Sequence, residues 1–482
     1  MAILGRGSDD QADPGVDVAS GRGEDSGSDP ASEPASDPAS DLAGDPDSHP
    51  YEARSSADLP RPYTPLPMDG VHLGVDLDQA LKPGALVPAF QPIVDLASGA
   101  VVGFEALARW PTVPGANPGT VFLAARVAGR LAELDWACRL AALRTALDVQ
   151  PDRETALFVN VEAETFGAAG PAGTEWLLTE ARERLRVVLE LTERSLLRRP
   201  AELLQLIGWA RKRGWGIALD DVGADPDSLA LLPFVAPDVI KLDLSLVQNT
   251  PSSQQARTMV AVMAHAERTG AAILAEGIET AAHREQALAL GASYGQGWLL
   301  GRPGPLTVVD DSNTIPPARP LEPIAVTPFD HVISARPLRI GRKALLLAMS
   351  RHIERKAMSL SDPPVVLSAF QTADRFTPQT ARRYSTIAST CAFVGALGEG
   401  LPMAPAPGVR GASLDPKDRL VGEWTVVVVG AHYAGALIAR DLGDCVPDLE
   451  RRFEFVLTHD RDVVIAAGRS LMGRIVTTRP AE

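Results

Sequence analysis

At 482 residues, 45% apolar and 22% charged, the chain is too long for one ordinary core and has the composition of a globular protein with two folded domains. Its formal net charge is −15, but residues 1–65 hold 14 acidic and 4 basic side chains, leaving only −5 for the rest. That balance argues against direct nucleic-acid binding. Cys138, Cys391 and Cys445 are far apart, odd in number and without C-x-x-C spacing, which excludes a disulfide framework or a zinc site and fits a reducing cytoplasm.

Residues 1–65 repeat Asp, Ser, Pro, Ala and Gly, with too little apolar surface to offset ordering entropy, and are predicted to form a disordered acidic tail. Its spaced aspartates lack the glycine and glutamate of a calcium loop and read as solvated charge. Because the start turns acidic within ten residues, no signal peptide is expected. The longest apolar run, Val426 to Ala439, is interrupted by Gly430, His432 and Tyr433 and falls short of the ~20 residues of a bilayer span.

From Val87 onward, short β-rich runs alternate with amphipathic helical stretches, the pattern of an α/β fold in which a parallel sheet is wrapped by helices. Strands are predicted at 87–94, 101–108, 157–161, 187–191, 216–220, 239–242, 272–275 and 297–300. Eight of them suit a closed (β/α)8 barrel spanning residues 66–305. Helices are predicted at 200–213, 252–268 and 281–290, with Gly214, Gly270 and Gly291 just beyond. A proline-rich stretch, 306–328, reads as a linker. Residues 329–482 form a smaller α+β domain: a helix at 340–358, strands at 365–370, 393–397 and 424–429, a helix ending near Leu442, and strands at 453–457 and 463–467.

Polar residues recur at the carboxyl ends of these barrel strands. Glu105 ends the second, Asn160 the third, Glu190 and Glu193 the fourth, Asp220 and Asp221 the fifth, Lys241 the sixth, and Glu276 and Glu279 the seventh. In a barrel these ends converge on the face that carries active sites. So many carboxylates would repel one another unless divalent cations neutralised them, and oxygen ligands suit Mg²⁺ or Mn²⁺. Two ions bridged by a carboxylate can activate water against a phosphodiester, with Lys241 orienting that water or offsetting phosphate charge. His265 and His283, on outer helices, read as surface or packing residues, and Trp110 as packing rather than a stacking platform.

These residues carry a family resemblance. Glu105-Ala106-Leu107 with Arg109, Val159-Asn160-Val161, Glu190-Leu191-Thr192-Glu193, Asp220-Asp221-Val222-Gly223, Ile240-Lys241-Leu242-Asp243, Ala275-Glu276-Gly277-Ile278-Glu279 and Gln296-Gly297 resemble, in order and spacing, the blocks of the EAL domain, the cyclic di-GMP phosphodiesterase family. The resemblance implies a two-ion site on Glu105, Asn160, Glu190, Asp220, Asp221 and Glu276. It also implies catalytic roles for Lys241, Glu276 and Glu105, substrate contacts from Arg109, Gln296 and Asp243, and loop-bracing by Glu193 and Glu279. The product implied is linear pGpG, and the assembly a homodimer. The chain departs from the family after Asp221, where Val222-Gly223-Ala224-Asp225-Pro226 stands for the usual F-G-T-G: Ala224 offers no hydroxyl and Pro226 stiffens the turn. A catalytically weak receptor for cyclic di-GMP is therefore the alternative, and hydrolysis of an unrelated phosphodiester a third reading. No GGDEF-like cyclase motif is evident. Residues from about 325 to 478, through Ile340–Ser359, Trp424–Val429 and Ala466–Ile475, resemble the DICT domain, which implies a sensory role toward an unidentified ligand or protein partner.

Overall fold

The computed structural model describes residues 75–149, 154–168, 170–192, 199–224, 226–249, 252–308, 315–320, 327–333 and 337–476. The acidic stretch 1–65, Glu193, Asp225 and much of the linker lie outside them. Eight strands close a barrel in sequence order: β1 (Val87–Asp95), β2 (Val101–Arg109), β3 (Ala156–Asn160), β4 (Arg186–Thr192), β5 (Gly216–Val222), β6 (Val239–Leu242), β7 (Ala272–Ala275) and β8 (Tyr294–Gly295). The barrel is not wholly parallel. β1 runs antiparallel to both its neighbours, pairing Gln91 with Glu105 on β2 and Val94 with Gly295 on β8. The β1–β2 turn is set by Asp95, whose carboxylate accepts from Ala97 N (3.0 Å) and Ser98 N (2.7 Å), with Gly99 at φ 77°.

Helices α1 (Leu131–Val149), α2 (Pro200–Lys212), α3 (Leu232–Val235), α4 (Leu244–Gln248), α5 (Ser253–Thr269) and α6 (Ala281–Ala289) connect and surround the strands. The predicted glycine stop at Gly270 is seen as a left-handed cap at φ 68°. The predicted strand at 297–300 is not formed: the eighth strand lies earlier, at Tyr294–Gly295, and beyond it the chain turns, with Leu300 N and Gly301 N both donating to Gly297 O.

The carboxy-terminal part is a seven-stranded mixed sheet in the order β12-β11-β10-β13-β14-β15-β9. Its strands are β9 (Arg339–Arg342), β10 (Val365–Thr372), β11 (Phe393–Glu399), β12 (Arg410–Leu414), β13 (Glu423–Val429), β14 (Ala434–Asp441) and β15 (Arg452–Thr458). Helices α7 (Lys343–Ala357) and α8 (Pro378–Ala388) cover one face, where Leu346, Ile353 and Tyr384 meet Val366, Val426 and Val428. The final helix, α9 (Arg461–Met472), covers the other, where Val464, Ala467 and Leu471 meet Leu367, Val427 and Ile438.

Three predicted elements are corrected here. Residues 434–441 form a strand, because hydrogen-bonded partners on both sides, β13 and β15, override the helical leaning of an Ala-rich run. Residues 461–472 form a helix, although Val463-Val464-Ile465 reads as β. Asp460 caps it by accepting from Asp462 N and Val463 N, and burial at 463, 464, 467, 468 and 471 follows a helical period. The helix predicted from residue 340 begins at Lys343, because 339–342 pair with β15 as a strand. The described barrel and sheet belong to one compact unit. No described helix is long and apolar enough to cross a membrane.

Trp110 is a packing residue, buried with its indole N–H donating to Ala80 O (3.0 Å). His265 on α5 is also buried, and neither ring nitrogen has a hydrogen-bond partner among the described residues. Burial, with Arg268, Arg461 and Arg319 nearby, pushes its pKa down to about 3. The unfolded chain therefore takes up a proton below pH ~6.5 that the folded chain refuses, and stability falls as pH drops, by at most ~1.4 kcal/mol per unit. Denaturant titrations at pH 7.5 and 5.0 should show the acid-induced loss reduced by about 2 kcal/mol in His265→Leu; an unchanged loss would refute this assignment.

Candidate active site at the barrel mouth

Two-residue alternation along each strand builds the site. Phe158, Val188, Ala218, Val239 and Leu274 belong to one buried cluster inside the barrel. Two residues further along come Asn160, Glu190, Asp220 and Lys241 on the same faces of their strands, and Glu276 one residue past the end of β7. The apolar layer thus forms a floor, and the polar residues stand above it at the mouth. β1 contributes from its opposite direction: Gln91, two residues before Ile93 of the same floor, pairs across to Glu105.

Lys241 is the centre of the cluster and fully buried. Its Nζ lies 2.7 Å from Glu276, 2.8 Å from Glu190, 3.0 Å from Asp220 and 3.6 Å from Glu105. Glu105 accepts from Asn160 Nδ2 (3.0 Å) and Gln296 Nε2 (2.7 Å), and Gln296 also donates to Gln91 (3.1 Å). One oxygen from each of Asp220, Asp221 and Glu276 lies within 4.8 Å of the others. Asp221 reaches this position only by adopting φ 57°, a left-handed conformation that a non-glycine residue holds at a cost of ~1–3 kcal/mol.

The electrostatics follow from burial and crowding. Burial alone would lower the Lys241 pKa, but its four carboxylate neighbours outweigh it and hold the ammonium well above its ordinary value. Burial also drives Glu190 well above the carboxylate range, with the Glu105 charge adding to it, and lifts Glu276 to about 8. For Glu105, burial is outweighed by Lys241, Gln296 and Asn160, and the carboxyl lies below its usual range.

Glu105, Glu190, Asp220, Asp221 and Glu276 thus set five carboxylates against one ammonium. Both oxygens of Glu190 and Oδ1 of Asp220 are buried and, apart from contact with Lys241, have no hydrogen-bond partner among the described residues. Orphaned acceptors of hard oxygen type in an acid-rich cage fit divalent cations, with Glu105, Asn160, Glu190, Asp220, Asp221 and Glu276 as the residues able to hold them.

Of the other expected site residues, Gln296 is buried in the cluster and Arg109 is half-buried at the end of β2, donating to Ala108 O (2.9 Å). Asp243 caps α4, accepting from Ser245 N (2.9 Å). Glu279 is exposed, and Glu193 lies outside the described residues. Gln91 was not singled out from the sequence. Its signal was its place on the floor-facing side of β1, readable only once β1 is known to run antiparallel.

The fold and site define a closed barrel with an acidic, cation-ready mouth, joined to a second mixed-sheet domain. The EAL domain family matches residues 75–303, and the DICT domain, "Sensory domain in DIguanylate Cyclases and Two-component system", matches 330–442. MucR of Pseudomonas aeruginosa, a bifunctional diguanylate cyclase/cyclic di-GMP phosphodiesterase, is 32% identical over 240 residues, 48% of this chain and 35% of that one. RocR of the same organism, a cyclic di-GMP phosphodiesterase, is 32% identical over 262 residues, covering 53% and 66%. An uncharacterized protein of Mycobacterium bovis is 30% identical over 241 residues, covering 47% and 78%. A solved structure titled "PaMucR Phosphodiesterase, c-di-GMP complex" aligns at 29% identity over 48% of this chain and 96% of that one, with a TM-score of 0.42. The chain belongs to the EAL-domain family and carries a DICT domain after its barrel. It spans about a third of the length of MucR and about two thirds of RocR.

Proposed function

We propose that this chain is a metal-dependent phosphodiesterase that hydrolyses cyclic di-GMP to linear pGpG, acting as a homodimer in the cytoplasm under the control of its DICT domain. The observation that carries the reading is the gathering of four carboxylates on Lys241, with Asp221 beside Asp220 and Glu276 and Asn160 on Glu105. The relatives named as cyclic di-GMP phosphodiesterases support the choice of substrate.

Two Mg²⁺ or Mn²⁺ ions, held by Glu105, Asn160, Glu190, Asp220, Asp221 and Glu276, would supply water activation and neutralisation of phosphate charge. Lys241 stays protonated, holds the carboxylates together and offsets charge on the phosphoryl group. Glu276, whose carboxylate form bound cations would favour, is placed to take a proton from the attacking water. The water oxygen bonds to phosphorus, the bond to the 3′ oxygen breaks, and that oxygen takes the proton and leaves as the 3′ hydroxyl. Arg109, Gln296 and Asp243 serve the nucleotide, while Glu193 and Glu279 brace the neighbouring loops.

The test is to incubate purified protein and Glu105→Ala with cyclic di-GMP and Mg²⁺ or Mn²⁺ and follow substrate and pGpG by chromatography. Wild type is expected to accumulate pGpG, and the variant to be slower by about a hundredfold or more. Ala224 and Pro226, in the loop after the aspartates, favour a second reading as a receptor. Tight binding by wild type without turnover would establish that reading in place of catalysis.

A further inference from the structure

The segment between Asp221 and Lys241 joins the two sides of the site, and a helix of the carboxy-terminal domain grips its middle. After Ala224, whose N–H closes a turn on Asp221 O (3.2 Å), the described chain runs through a 3₁₀ turn (Pro226–Leu231) into α3. At four residues α3 is too short to be stable alone, and its carbonyls need outside partners. Arg469 of α9 supplies them: Nε donates to Phe234 O and Nη2 to Pro233 O, both at 3.0 Å. This two-pronged contact, 235 residues away in sequence, puts a guanidinium on the carbonyl-rich end of the helix. Gly468 lets the two elements close. A Cβ there would lie 2.6 Å from Cε1 of Phe234, a ring that is 1% exposed.

α9 is fastened on its other side to the sheet, through Val464, Ala467 and Leu471 against Val427 and Ile438. A shift of the sheet therefore moves Arg469, and with it the crossover whose ends carry Asp220 and Asp221 on one side and Lys241 on the other. Asp221, already held in a left-handed conformation, depends on that crossover for its place. α9 also lies beyond the stretch matched by the DICT family, 330–442.

We propose that Arg469 is a positioning residue: through α3, helix α9 of the carboxy-terminal domain sets the geometry of the aspartate pair relative to Lys241, and so the affinity of the mouth for divalent metal. This rests on reading the mouth as a metal site. The test uses the full chain as wild type, Arg469→Ala, Arg469→Lys and Gly468→Ala, with near-ultraviolet circular dichroism to verify folding. Mn²⁺ binding is measured by calorimetry without nucleotide, and hydrogen exchange is followed in peptides spanning 220–241.

Arg469→Ala should weaken Mn²⁺ binding about tenfold and speed exchange in those peptides. Arg469→Lys, able to reach one carbonyl, should fall between, and Gly468→Ala should speed exchange by displacing Phe234. Should Arg469→Ala fail to fold, the other two variants carry the same comparison. Unchanged exchange at 220–241 in the folded variants would overturn the proposal. A wild type that binds no Mn²⁺ would sink the metal reading separately, because the exchange comparison needs no metal.

Discussion

Lys241→Met should abolish turnover and leave the metal-free protein far less stable, with Mn²⁺ returning much of the lost stability. The ammonium is fully buried and within 3.0 Å of Glu190, Asp220 and Glu276. Removing it leaves these carboxylates and Glu105 at close range with no cation, and breaking a buried ion cluster from one side costs ~3–5 kcal/mol. Part of that cost is relieved by proton uptake, since Glu190 and Glu276 already hold protons more tightly than ordinary carboxyls. In a domain of this size the loss corresponds to a fall in Tm of about 10 °C. On the proposed metal reading, Mn²⁺ stabilises by mass action, and its effect on Tm should be larger in the variant, where the carboxylates have no other cation, than in wild type. Calorimetric scans in EDTA and in Mn²⁺ check this. A variant as stable as wild type in EDTA would mean that Lys241 is not the counter-charge of the site.

Gly297→Ala should be the most damaging small substitution in the barrel. The chain at 296–297 is stitched to Ile278: Ile278 N donates to Gln296 O and Leu299 N to Ile278 O, both at 3.0 Å. A Cβ on Gly297 would lie 2.2 Å from Ile278 O and 2.3 Å from Ile278 N, and φ there is +155°, a region open essentially to glycine. No side chain can swing aside, because the obstacles are backbone atoms. Relief requires parting the two segments, which displaces Gln296 from Glu105 and Gln91 on one side and disturbs the chain after Glu276 on the other. The cost should exceed ~4 kcal/mol, seen as a Tm lowered by about 10 °C or more and a collapse in soluble yield. Gly208→Ala is the control. It lies in α2 with nothing within 4 Å of the added methyl, and should be neutral or stabilising by up to ~1 kcal/mol. Equal damage from both would show that the clash at Ile278 is not the cause.

The barrel strands were legible because each is a short apolar run whose alternation is set by the pleat. β6 and β7 have the predicted bounds, β1, β2 and β5 differ from them by one or two residues at one end, and β3 and β4 by one residue at each end. The carboxy-terminal domain was harder to read. β14 has the composition of a helix and α9 carries a β-branched run, and in both the neighbours decide: β13 and β15 flank the first, and the sheet and α3 pack against the second. The Asp460 cap was a local signal for α9 that the valines obscured.

The sequence by itself determined that Asn160, Glu190, Asp220, Lys241 and Glu276 face one way, because a polar residue two positions beyond an inward apolar one stands on the same side of a strand. Tertiary structure alone decided the rest. It set the direction of β1, which brings Gln91 to Glu105; the left-handed turn of Asp221; the gathering of four carboxylates on one buried ammonium; and the grip of Arg469 on α3. Apart from the turn at Asp221, these rest on contacts between separate elements, from 14 positions apart for Gln91 and Glu105 to 235 for Arg469 and Phe234, and neither periodicity nor propensity reports such a contact.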